Sequence, residues 1–63
     1  MEKFYWYIYN KNKPTNWQVC INFKFIGTLE RVPDDEFDKL NIKFLGEFSR
    51  KEFELYSKLG YFG

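Results

Sequence analysis

Sixty-three residues, 24% of them aromatic and 30% charged, carry a formal charge of +1, one cysteine and no histidine. A chain this short is one domain (residues 1–63), near the lower limit for an unaided fold. The lone cysteine excludes an internal disulfide, the missing histidines exclude the common zinc ligand sets, and the near-zero charge argues against general attraction to DNA or an anionic membrane.

The device left for stability is aromatic mass: eight Phe, five Tyr and two Trp. Charge is unevenly spread, with four lysines against Glu2 in residues 1–27, and six basic against eight acidic residues in 28–63. No apolar run reaches the length of a membrane span, and the aromatic stretch after Glu2 is too short for a signal peptide. The expected location is the cytoplasm, with no membrane partner. Alanine is absent, and Phe, Tyr, Ile, Asn and Lys, the residues of A/T-rich codons, abound. This points to a low-GC bacterium, or to a phage or plasmid living in one.

The first predicted strand runs from Lys3 to Tyr9. Its side chains alternate: Phe4, Trp6 and Ile8 form a dry row, and Tyr5, Tyr7 and Tyr9 a row with polar tips. Residues 10–16 are polar and contain Pro14, which has no amide to donate to a ladder, so they read as a loop. Alternation resumes from Trp17 to Ile26, with Trp17, Val19, Ile21, Phe23 and Phe25 on one side and Gln18, Cys20, Asn22 and Lys24 on the other. Two such runs predict an antiparallel hairpin.

Pro33 opens a short helix over residues 34–40, where three acids suit the partial positive charge of a helix start. Phe37 and Leu40 face inward, and Asn41 stops the helix. Ile42 to Phe48 alternates as a third strand, with Ile42, Phe44 and Phe48 inward. Gly27 and Gly46 end strands or permit a bulge. Ser49 to Glu52 spells a capping box, with Phe48 and Phe53 at the positions of a hydrophobic staple. The second helix therefore spans residues 50–59, stops at Gly60, and lets Tyr61 fold back on its last turn.

Phe23-Lys24-Phe25-Ile26-Gly27 aligns with Ile42-Lys43-Phe44-Leu45-Gly46 at an offset of 19 residues, which suggests a strand-then-helix unit used twice.

The order β-β-α-β-α predicts an α+β fold: a three-stranded antiparallel sheet of order 2-1-3, with two helices packed on one face. The other face stays open and shows the tyrosines, Lys24 and Lys43. It is the expected contact surface, with Tyr5, Tyr7, Tyr9, Trp17, Lys24 and Lys43 as partner-binding residues. Tyrosine supplies large contact area at low entropic cost, which fits a protein partner. The same tyrosines and lysines would also stack bases and hold phosphate, so a single-stranded nucleic-acid binder is the runner-up, though no RNP-type signature accompanies them. Self-association as a homodimer is the third reading.

Asp34, Asp35, Glu36 and Asp38 lack the pattern of a calcium loop and read as a solvated helix start. Cys20, without His or a second Cys, reads as a small packed residue. Without a histidine, a phosphate loop or room for a pocket that would tune paired carboxylates, the chain is expected to be no enzyme and to use no cofactor or metal. The expected function is a non-enzymatic interaction module, for instance a phage or mobile-element accessory protein that binds and inhibits a host or defence protein.

Overall fold

The computed structural model describes residues 2–12, 14–17 and 22–62. Strand β1 is Phe4–Asn10, apolar enough on both sides to sit between neighbours. Strand β2, Phe23–Thr28, and strand β3, Ile42–Phe48, flank it in the order β2-β1-β3, both antiparallel to β1. Helix α1, Phe37–Leu40, follows a 3-10 turn at Asp34–Glu36, and helix α2 is Arg50–Lys58. This is the α+β architecture and strand order expected from the alternation. Among the described residues, no helix is long and apolar enough to cross a membrane.

The hairpin differs in detail. Asn22 adopts a left-handed backbone (φ 57°), so extended structure begins only at Phe23. Asn10, expected in the loop, is the last residue of β1, and Asn22, expected in the second strand, precedes β2. Trp17, expected in the second strand, precedes it. Val19 and Ile21, expected inward, and Gln18 and Cys20, expected outward, lie outside the described residues.

A bulge in β3 has the largest consequence. Trp6 pairs with Gly46 but Tyr7 pairs with Phe44, leaving Leu45 as an extra residue. One inserted residue reverses the facing of everything before it. Phe48 lies on the Trp6 side as expected, but Ile42 and Phe44 move to the Tyr7 side and Lys43 moves away from it. Gly46 has φ 144°, and a Cβ there would lie 2.7 Å from the Phe48 ring, so the position requires glycine.

The bulge divides the helices between the two faces, where the sequence suggested one. On the Trp6 face, α2 lays Phe53 flat on Trp6, with centroids 3.9 Å apart and planes 6° from parallel. The indole lies over Gly27, where a Cβ would meet its six-membered ring at 3.0 Å. Its Nε1–H donates to the Phe48 carbonyl at 2.9 Å. On the other face, Phe37 of α1 packs against Tyr7 and Phe44. Both glycines of the 19-residue pattern pair with Trp6, one on each side. Each edge strand is followed in chain order by a helix, but the two helices lie on opposite faces of the sheet.

The local signals at α2 hold. Glu52 N–H donates to Ser49 Oγ at 3.2 Å, and Ser49 N–H donates to Glu52 Oε1 at 3.0 Å. Phe48 and Phe53 are bridged by Phe62, whose ring lies 5.7 Å and 5.1 Å from theirs. Tyr61 N–H donates back to the Tyr56 carbonyl at 2.9 Å.

Candidate partner-binding face

Tyr7 is interior, 1% exposed, and not part of an open ladder. Its ring packs against Phe37 and Phe44, 6.2 Å and 5.6 Å away. Its hydroxyl accepts from Val32 N–H at 2.9 Å and lies 3.0 Å from Thr28 Oγ1. Because Thr28 spends its own proton on the Glu30 carbonyl at 2.7 Å, Tyr7 must donate to Thr28. Val32 amide, Tyr7, Thr28 and Glu30 carbonyl thus form one directed chain of bonds, which holds the segment after β2 down over the tyrosine. The hydroxyl that made Tyr7 look solvent-facing has its partners inside.

Tyr5 and Tyr9, on the same face, are half-buried. Tyr5 leans on Phe44, 6.3 Å away. The Arg31 guanidinium covers the far side of this cluster, 4.7 Å from the Phe44 centroid and 5.8 Å from that of Phe37, while pairing with Asp34 at 2.7 Å. Lys24, exposed and opposite Tyr9, keeps its expected place.

Lys43 and Trp17 are elsewhere. Lys43 pairs with Ile8 and, with Trp17, lines a groove of about 400 Å³ that runs to Gly60, Tyr61 and Phe62 on the α2 side. Of the six expected contact residues, the fold therefore gathers Tyr5, Tyr7, Tyr9 and Lys24 on one face and places the other two on the opposite one.

Between β2 and α1, the tyrosine face holds a wholly apolar recess of about 320 Å³. Tyr7 contributes to its floor, and Tyr9, Ile26, Val32, Leu40 and Ile42 form its walls. Ile26 and Leu40 are 39% and 44% exposed, large aliphatic groups left in water around a concavity. Sequence reading passed over both. Alternation puts Ile26 at the end of the predicted second strand, and the spacing from Phe37 predicts Leu40 inward. The available signal was Ile26's even-numbered position, which puts it in the row of Lys24 and Thr28, opposite the tyrosines.

One carboxylate is clearly perturbed. Glu52 lies below its ordinary value because the Ser49 amide, and then the Ser49 hydroxyl, hydrogen-bond to it. That is the signature of a helix cap and serves α2, not the recess. Comparison with protein-family models, with curated proteins and with solved structures returns no match.

Proposed function

We propose that this chain is a non-enzymatic protein-interaction module whose contact surface is the apolar recess of the tyrosine face. The observation that carries the reading is the exposure of Ile26 and Leu40 around an apolar concavity to which the buried Tyr7 ring contributes. An open pocket with aliphatic rims takes an apolar side chain from a partner, and the partly exposed ring of Tyr9 and the Lys24 ammonium provide the polar surround. Base stacking is the weaker reading, because the middle ring of the tyrosine row is internal and offers no platform.

An amino-acid composition weighted toward residues of A/T-rich codons supports a narrower version: a cytoplasmic accessory protein of a phage or mobile element that inhibits a host or defence protein by occupying its surface. Leu40→Asp places a charge on the recess rim, whereas Leu59→Asp places one on the exposed side of the molecule beyond α2. Cross-linked partners from host lysate should be lost with Leu40→Asp, an affinity drop of about tenfold or more, and kept with Leu59→Asp. Equal retention by both variants overturns the reading. Oligonucleotide binding at low salt that collapses as salt rises overturns it in favour of nucleic acid.

A further inference from the structure

We propose that the outer edge of β2 is a self-association surface that pairs antiparallel with β2 of a second copy. Among the described residues, β2 has a single strand neighbour, β1, so alternate amides and carbonyls of Phe23–Thr28 point outward. The strand contains no proline and no bulge, and Lys24 is its one charge. The opposite edge is blunted, because the extra residue at Leu45 breaks the even spacing that a partner strand needs.

Residues directly opposite each other in an antiparallel ladder share a face. In a two-fold dimer the axis must therefore pass midway between one residue of β2 and its own copy. Centring on Lys24 would oppose two ammonium groups. Centring on Ile26 sets the two exposed isoleucines against each other, Phe25 against Gly27 of the second copy, and Lys24 against Thr28 of the second copy. Glu30 follows Thr28 and is held beside it by the Thr28 hydroxyl bond to its carbonyl. Each copy thus carries a base near the start of β2 and an acid just past its end, and antiparallel self-pairing brings Lys24 of one copy toward Glu30 of the other on both sides of the axis. The charge order is self-complementary.

The axis stands perpendicular to the sheet, so both apolar recesses fall on one face of a six-stranded sheet. Each copy also contributes its Ile26 to the rim of the other's recess. Five residue pairs bury less than the ~1,200 Å² of a standard stable interface, so the dimer is concentration-dependent and not permanent.

Sedimentation equilibrium at low salt, from micromolar to millimolar protein, tests this. The average mass of the wild-type chain should climb from 7.8 kDa toward twice that value. Lys24→Glu and Glu30→Lys, each shown folded by circular dichroism, should weaken association about tenfold, and an equimolar mixture of the two should restore it. A constant monomer mass overturns the proposal. So does a dimer that neither variant weakens, or one that mixing fails to recover. Leu40 lies off this edge, so a Leu40→Asp variant that loses its partner but still dimerises separates the two surfaces.

Discussion

Tyr7 was the hardest residue to read from sequence. In FYWYIY the polar-tipped rings alternate with dry ones, and a hydroxyl normally seeks water, so the tyrosine row looked open. The partners of the Tyr7 hydroxyl stand at Thr28, the last residue of β2, and at Val32 in the loop beyond it, 21 and 25 residues further on, with no periodic pattern to announce them. Tyr7→Ala is consequently no probe of a surface, since it empties the core. Tyr7→Phe keeps the ring but orphans the Val32 amide and removes the Thr28 bond. It should cost about 1–2 kcal/mol in urea unfolding, with the slope unchanged. Alternation gives the facing of Lys24 because β2 runs without interruption from it to Thr28, whereas it fails for Lys43 because a bulge intervenes.

Among the elements, α2 was legible to within a residue. Its signals are local: a serine, a glutamate three positions later and a glycine beyond the end. Ser49→Ala should destabilise the protein by about 1 kcal/mol. The same cap gives an acid dependence whose sign follows from Glu52. Its folded pKa lies below the unfolded one, so its contribution is complete above the ordinary glutamate range and disappears as pH falls through the lowered value. Thermal unfolding followed across that acid range should show the loss in the wild type and a flatter profile in Glu52→Gln. The bulge in β3 was only half-visible. Gly46 marks a place where a strand can deform, but nothing in IKFLGEF says which side of the glycine carries the extra residue. With that choice goes the facing of Ile42, Lys43 and Phe44, and with the facing goes the distribution of the helices.

The whole molecule is a thin slab, with principal extents of 33, 26 and 13 Å. In a body so flat nearly every side chain has one side near solvent, and among the described residues only Tyr7, Ile8, Ile42 and Phe53 form the buried apolar core. Closure on the α2 side depends on Phe62, whose ring stands 5.1–6.4 Å from those of Phe25, Phe48, Phe53, Tyr56 and Tyr61. Phe62→Ala should remove about 2 kcal/mol, a reduced value because the ring is only half-buried, and lower the melting temperature accordingly. Sequence reading anticipated an aromatic-heavy domain but not this arrangement, because it depends on rings that meet across three strands and the C-terminal turn.

The indole of Trp6 lies over the bare backbone of Gly27, and Phe53 lies flat on the indole. On this side the sheet is tiled, not filled. Lifting one tile would wet the peptide groups beneath it before it opened any void. Damage at position 6 would thus register first as faster deuterium uptake along the middle of the sheet, with little new room for a hydrophobic dye.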